Sequence, residues 1–402
     1  MKILMVTSEA IPFAKSGGLG DAVSALSRAL SRMGHDVRIV MPRYYSIDRT
    51  KLERLDGAMG VPVGESEEWT AVYRTKLPGS EVDVLFIDHE GYYGREGVYG
   101  DKATPDFPDN PQRFGLLARA AFQVCRKISW IPDIIQGNDW PGALSAVFLR
   151  HVERLKEFSN AASIFSIHNL GYQGIYPKEV FPFFQLSWDL FHSAGFEFYD
   201  RINMLKAALR AADSLATVSP TYAREIQTPS FGFGMDGILR SRSADLVGII
   251  NGVDSDDWNP AHDALIPARY SAEDLSGKAV CKAALQKAFG LPVRPEVPLI
   301  GMITRLADQK GVGELFGPGY GAAFGICRDM DVQFVILGSG ERWCEEELRT
   351  LSSNLANFKA KIGYDEKIAH LIEAGSDFFL MPSRYEPCGL NQMYSLSYAT
   401  LP

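Results

Sequence analysis

A lysine and three glycines near the start of the chain have the types and spacing of an anion-binding loop. The segment Lys15-Ser16-Gly17-Gly18-Leu19-Gly20 stands between a short apolar run, residues 2–6, and a stretch with apolar residues at helical spacing. A glycine loop that opens a helix presents backbone N–H groups at the positive end of the helix dipole, and the lysine adds a full charge. The spacing is neither the dinucleotide fingerprint nor a Walker loop. Anion binding and close packing of helix on strand both remain open.

Four polar clusters follow later predicted strands, and each contains groups suited to chemistry. Every member has a structural alternative: an acid before a helix can be a cap, a single histidine can be a core residue, and basic residues can be solvated. The spacing of Arg305 and Lys310, however, suits two cations that converge on a diphosphate. Where parallel strands alternate with helices, the functional site forms at the carboxyl ends of the strands. Because all four clusters follow predicted strands, we favour a functional role for them over the structural alternatives. The residues are Asp139, His168, Arg305 with Lys310, and Glu386.

The elements that must position these residues form two series of strands that alternate with helices. This alternation predicts an α/β protein with parallel sheets covered by helices on both faces, divided into two doubly wound domains. We place the boundary after residue 250, which gives domains 1–250 and 251–402, and a cleft between them is the natural site for a two-part substrate. Strands are predicted near 2–6, 37–41, 82–87, 133–136, 163–167, 214–218, 247–250, 299–303, 332–337, 359–362 and 378–381.

Three stretches between the predicted strands are candidates for helices, and their compositions differ. Residues 113–127 and 143–157 are amphipathic and predict helices. Residues 311–328 stand where a helix is needed, yet their first half is rich in glycine and holds Pro318. Glycine costs about 1 kcal/mol and proline about 3 kcal/mol in a helix, so the first half of this helix is in doubt.

Composition limits the function classes. A net charge of −8 without a long basic run argues against a nucleic-acid partner. No apolar run approaches the roughly 18 residues of a membrane span, and no targeting segment precedes the first strand. Five scattered cysteines indicate a reducing compartment and no structural zinc. We therefore expect a cytoplasmic protein with no membrane partner and no metal.

Motifs spread over nearly the whole chain, in one order, carry a specific resemblance. The sequence resembles glycosyltransferase family 5, which contains the bacterial glycogen synthases and plant starch synthases. The segments that carry it are Thr7–Asp21, Pro42-Arg43-Tyr44, Asn138-Asp139-Trp140, His168–Gly174, Asn203–Ala207, Val218–Tyr222, Ile250–Asp254, Arg305–Gly311, Gly338–Glu341 and Pro382–Leu390.

The resemblance implies a GT-B fold, with two facing Rossmann-like domains and an interdomain cleft. It implies transfer of glucose from ADP-glucose to the non-reducing end of an α-1,4-glucan such as glycogen or a maltooligosaccharide, with retention of configuration and without a cofactor. The first domain is then the acceptor side and the second binds the nucleotide sugar.

The resemblance also implies roles for individual residues. Lys15, Arg305 and Lys310 match positions that stabilise the diphosphate, and Glu386 matches the position that contacts the donor glucose. Asp139 and His168 match positions that orient a sugar. Further donor contacts are implied for Gly17, Gly18, Gly338, Tyr364, Cys388, Gly389 and Leu390.

Some alternatives stay open. Asn138 stands where the family usually has histidine, and the family continues past Pro402, so we expect the second domain to be incomplete. A related GT-B transferase that uses UDP-glucose or another acceptor fits the same residues. So does a truncated, non-catalytic chain that binds glucan or nucleotide.

Overall fold

The computed structural model describes residues 1–101 and 103–402 and divides into two compact units, Met1–Gly252 and Val253–Pro402. No helix in the described part is long and apolar enough to cross a membrane. The fold is α/β with mainly parallel sheets, as the alternation of strands and helices predicts.

The first unit is built on a ten-stranded sheet whose central strands are short and apolar. Its strands are β1 Lys2–Val6, β2 Asp36–Pro42, β3 Glu53–Arg54, β4 Met59–Val63, β5 Ser66–Lys76, β6 Asp83–Asp88, β7 Ile134–Asn138, β8 Ala162–Ile167, β12 Ser214–Thr217 and β13 Leu246–Gly248, with β9 Ile175–Pro177, β10 Glu197–Phe198 and β11 Arg201–Asn203 in a separate antiparallel sheet.

The strand order of the large sheet is β13-β12-β8-β7-β1-β2-β6-β5-β3, and β4 pairs with β5. The strands from β13 to β6 are parallel, so their carboxyl ends share one edge. Strand β1 lies at the centre and is buried from Ile3 onward, as a strand covered on both faces must be. The helices of this unit are α1 Gly18–Arg32, α2 Glu90–Tyr93, α3 Asn110–Lys127, α4 Asp139–Gly142, α5 Leu144–His151, α6 Met204–Ala211, α7 Pro220–Glu225 and α8 Asp236–Ser241.

The second unit has a four-stranded parallel sheet in the order β16-β15-β14-β17. Apolar side chains pack on both faces of β15, which is buried from Gln333 to Gly338. Its elements are α9 Ser276–Ala288, β14 Leu299–Leu306, α10 Val312–Phe316, α11 Ala322–Asp329, β15 Gln333–Gly340, α12 Arg342–Asn354, β16 Phe358–Ile362, α13 Glu366–Gly375, β17 Phe378–Phe379 and α14 Leu390–Ser397.

Two local predictions need correction. The helix predicted over 143–157 ends at His151, and a 3-10 turn, Glu153–Leu155, follows it because the buried Glu153 carboxylate binds Arg119 and Arg126 of α3. The antiparallel strands β3, β4 and β5 were not predicted. The doubtful helix at 311–328 is indeed interrupted: α10 ends at Phe316, before Gly317-Pro318-Gly319, and α11 begins at Ala322.

Candidate functional site

The glycine loop of the first unit holds an anion that belongs to the chain itself. The Oε2 atom of Glu9 accepts hydrogen bonds from the backbone N–H of Ser16 (2.5 Å) and of Gly17 (3.3 Å), and Oε1 accepts one from the Ser16 hydroxyl (2.8 Å). Glu9 follows β1, is only 2% exposed, and lies beside the first turn of α1. The N–H groups of Ser16 and Gly17 that the sequence offered to a ligand thus donate to Glu9. Substrate contacts at Gly17 and Gly18 stay predictions.

Lys15 stands beside this loop with its charge close to a carboxylate. Its Nζ lies 2.8 Å from Asp21, which is in the first turn of α1. An acidic side chain is favoured there by the helix dipole. Because Lys15 stands in the loop between β1 and α1, it lies at the carboxyl edge of the sheet, next to the start of a helix.

Asp139 and His168 lie together at the same edge, because β7 and β8 are parallel neighbours. The Oδ1 atom of Asp139 accepts hydrogen bonds from the backbone N–H of His168 (2.7 Å) and of Asn169 (3.2 Å). Asp139 has a left-handed backbone, with φ of +49°. Its carboxylate thus fixes the loop that follows β8.

The imidazole of His168 is neutral and has a defined tautomer. Asn138 Nδ2 points to the Val6 carbonyl (3.3 Å), so its Oδ1 faces His168 Nε2 at 3.2 Å and must accept. Nε2 therefore carries the proton, and Nδ1 is the acceptor. Desolvation lowers the pKa of His168 to about 4. The ring can accept a hydrogen bond from a hydroxyl but is not a cation near neutral pH.

Lys310 and Glu386 form the polar centre of the second unit. Lys310 Nζ lies 2.5 Å from Glu386 Oε1, and the Ser383 hydroxyl donates to the same oxygen at 2.6 Å. Their side chains are 19% and 18% exposed, which leaves the pair accessible. Lys310 follows β14 and Glu386 follows β17, and these strands are parallel neighbours.

Hydrogen bonds join the segment that carries Lys310 to the segment that carries Glu386. The Arg384 N–H donates to the Gln309 carbonyl at 2.9 Å, and Gln309 Nε2 donates to the Tyr385 carbonyl at 3.2 Å. Gly311 has φ of +67°, and a Cβ there would lie 2.2 Å from the Pro382 carbonyl oxygen. Only glycine fits at position 311, where the two backbone segments come this close to each other.

The remaining predicted residues of the second unit stand along the same edge. Arg305 is the second-last residue of β14, and Gly338 lies opposite Thr304 on β15. Tyr364 follows β16 and is 60% exposed. Cys388 is half-buried, Gly389 has φ of +77°, and Leu390 begins α14.

Sequence reasoning missed Glu9, Ser383 and the role of Asn138 as the partner of His168. The available signal was position, because each residue stands at or just after the carboxyl end of a strand. Among the described residues there is no group of three or more histidine, cysteine or acidic side chains that could hold a metal ion.

Comparisons with known proteins identify the family to which the chain belongs. Residues 2–241 match the family model described as the starch synthase catalytic domain. The chain is 60% identical over 402 residues to a glycogen synthase of Treponema denticola, covering 100% of this chain and 82% of that protein. It is 46% identical to glycogen synthase 1 of Geobacter metallireducens, covering 100% of this chain and 80% of that protein.

Among solved structures, the catalytic domain of starch synthase IV from Arabidopsis thaliana, bound to ADP and acarbose, is similar with a TM-score of 0.91 and 32% identity. The match covers 100% of this chain and 82% of that one. The chain therefore belongs to the glycogen synthase and starch synthase family of glucosyltransferases, which have the GT-B fold.

Proposed function

We propose that the chain transfers glucose from ADP-glucose to the non-reducing end of an α-1,4-glucan, glycogen or a maltooligosaccharide, with retention of configuration. The family acts on a nucleotide sugar and a glucan. The presence of ADP and acarbose in the Arabidopsis structure supports an adenine nucleotide and an α-glucan here. The five cysteines, all free thiols, support a cytoplasmic location.

The observation that carries the proposal is the ion pair of Lys310 and Glu386 at the carboxyl ends of β14 and β17. Breaking the bond between the anomeric carbon and the phosphate oxygen puts negative charge on the diphosphate and positive charge on the sugar ring. A cation next to a carboxylate can stabilise both charges. Lys310, with Arg305 and Lys15, meets the diphosphate, and Glu386 contacts the donor glucose.

The other residues orient the sugars and the nucleotide. The Nδ1 atom of His168 accepts a hydrogen bond from a sugar hydroxyl, and Asp139 fixes the loop that carries His168. Gly338, Tyr364 and the start of α14 with Cys388, Gly389 and Leu390 hold the donor. The leaving phosphate takes the proton of the acceptor hydroxyl, so no side chain has to act as the base. The cations on the diphosphate stabilise its charge, so the transfer requires no metal.

The test measures glucose transfer to glycogen by Lys310→Met and Glu386→Gln, with ADP-glucose and with UDP-glucose as donors. We expect each variant to lose about 10²- to 10³-fold in kcat, because each removes a preorganised charge from the transition state. Lys178→Met is the matched control, since it breaks a 2.6 Å lysine–carboxylate pair, that with Asp200, away from these residues.

Four outcomes decide the proposal. Transfer from ADP-glucose that is faster than from UDP-glucose, and that falls only in the two site variants, supports it. A preference for UDP-glucose makes the chain a related transferase. Binding of glucan or nucleotide without transfer makes it a non-catalytic protein. Variants with the turnover of the wild type contradict the assigned roles.

A further inference from the structure

Glu9 is a buried carboxylate at the carboxyl edge of the first sheet to which the proposed function gives no role. It accepts three hydrogen bonds from Ser16 and Gly17, and a fourth from the Tyr99 hydroxyl at 2.6 Å. Burial and the neighbouring Glu9 raise the pKa of Tyr99 well above its usual value, so this hydroxyl stays a donor. Four donors from two directions fix the carboxylate and, through it, the loop.

The position of Glu9 changes how the glycine loop can meet an anion. A second anion at the N–H groups of Ser16 and Gly17 would have to displace a carboxylate that already has its hydrogen bonds, and the two negative charges would repel. The loop therefore offers an incoming diphosphate its side-chain cation, while the N–H groups of Ser16 and Gly17 already donate to Glu9. Lys15 directly precedes the residue that Glu9 holds most tightly.

We propose that Glu9 is a positioning residue for the donor: it anchors Ser16 and Gly17 so that Lys15 is the group of this loop that meets the diphosphate. This rests on the proposed function, which assigns Lys15 to the donor. The acid takes the place that phosphate occupies in other glycine loops at helix starts.

The test is a double-mutant cycle in the full chain with Glu9→Ala and Lys15→Met, read as kcat and KM for ADP-glucose. Interacting residues give non-additive effects, whereas independent ones give additive effects. We expect Glu9→Ala alone to lower kcat/KM by about 10- to 100-fold, since it removes hydrogen bonds to a charged group. In the Lys15→Met background the same change should cost less than about threefold.

A conservative variant separates positioning from a need for negative charge. In Glu9→Gln the amide oxygen can still accept from the two N–H groups, while the hydroxyls of Ser16 and Tyr99 turn to accept from the amide nitrogen. We expect this variant to recover most of the activity lost in Glu9→Ala. If Glu9→Ala fails to fold, as thermal denaturation will show, Ser16→Ala takes its place in the cycle, since it removes one of the same hydrogen bonds.

Asp213→Ala is the matched control. The Asp213 carboxylate also accepts the N–H and the hydroxyl of one serine, Ser163, at 2.7 and 3.0 Å, but at the amino ends of β8 and β12. We expect it to lower the unfolding temperature and to leave kcat/KM per folded molecule unchanged within about twofold.

Three results would overturn the inference. The first is an equal effect of Glu9→Ala with and without Lys15, which makes Glu9 a structural residue while leaving the proposed function intact. The second is tighter ADP binding by Glu9→Ala, which shows that phosphate takes the vacated N–H groups. The third is full transfer activity of Lys15→Met, which refutes the role of Lys15 in the proposed function as well.

Discussion

Two carboxylates at the carboxyl edge of the first sheet accept hydrogen bonds from the backbone of the chain itself. Asp139 accepts N–H groups from the loop after β8, and Glu9 accepts them from the loop before α1. Buried backbone donors must be satisfied, and a carboxylate satisfies two at once. Each acid thereby fixes a neighbour that has its own proposed role, His168 in one case and Lys15 in the other.

The ionisation of His168 gives a prediction at the scale of a single residue. Desolvation lowers its pKa to about 4, whereas the unfolded value is about 6.5. The neutral ring therefore contributes stability that is present above about pH 6.5 and is lost as the pH falls through about 4. Side-chain NMR should show no titration of His168 between pH 5 and 8, and the spectrum of His168→Gln assigns the signal.

Denaturation at several pH values gives an independent check of His168. The wild type should lose stability relative to His168→Gln as the pH falls from about 6.5 to about 4, since glutamine does not titrate. A titration midpoint near that of free histidine would contradict the lowered pKa of His168. It would also contradict the role of the neutral ring as a hydrogen-bond acceptor.

Residue types in the sequence predicted the edge at which the polar groups stand, but not their partners. The positions of Asp139, His168, Lys310 and Glu386 after strands follow from local pattern, because parallel strands align their carboxyl ends. The contact of Glu9 with Ser16 depends on how residues 10–15 turn back, and no periodic pattern encodes that turn.

At the scale of elements, the approach of Gly311 to Pro382 joins the segment after β14 to the segment after β17. We expect Gly311→Ala to separate Lys310 from Glu386, because a Cβ would lie 2.2 Å from a backbone oxygen. The variant should lose stability and at least about tenfold in kcat, the cost of a misplaced charge in the transition state. Chemical denaturation and transfer from ADP-glucose measure the two effects.

Gly290→Ala is a close control for backbone conformation. Gly290 has φ of +69°, nearly that of Gly311, but a Cβ there meets nothing within 4 Å. It should cost only the left-handed strain, about 1–2 kcal/mol, and leave kcat unchanged. Equal losses in both variants would show that strain, rather than the contact with Pro382, sets the effect.

The elements themselves were predicted unevenly, for physical reasons. Apolar runs such as β1 and β15 are buried on both faces and stand out in the sequence. Strand β5 was missed because both of its ends are polar and only Thr70 and Val72 of its eleven residues are buried, so it has no continuous apolar run. The break between α10 and α11 was predictable because glycine and proline oppose helix formation directly.

At the scale of the whole molecule, each unit has its own buried polar group around which apolar side chains pack. In the second unit Asp263 accepts hydrogen bonds from His370 (2.8 Å) and from the Tyr398 hydroxyl (2.6 Å), while Trp258 stacks on His370 with ring centroids 4.0 Å apart. In the first unit Glu153 binds Arg119 and Arg126. Because these groups share no partner, we expect each of them to stabilise its own unit independently of the other.

Asp263→Ala in the full chain tests this expectation. The change leaves two buried partners without an acceptor and should lower the stability of the second unit by about 3 kcal/mol or more. Amide hydrogen exchange should then lose protection in residues 253–402, and residues 1–252 should keep theirs, because local unfolding follows cooperative units. Glu153→Ala should produce the reverse pattern. Equal loss of protection along the whole chain in either variant would show one cooperative unit, and the stability of the site residues at both edges would then depend on every buried contact in the molecule.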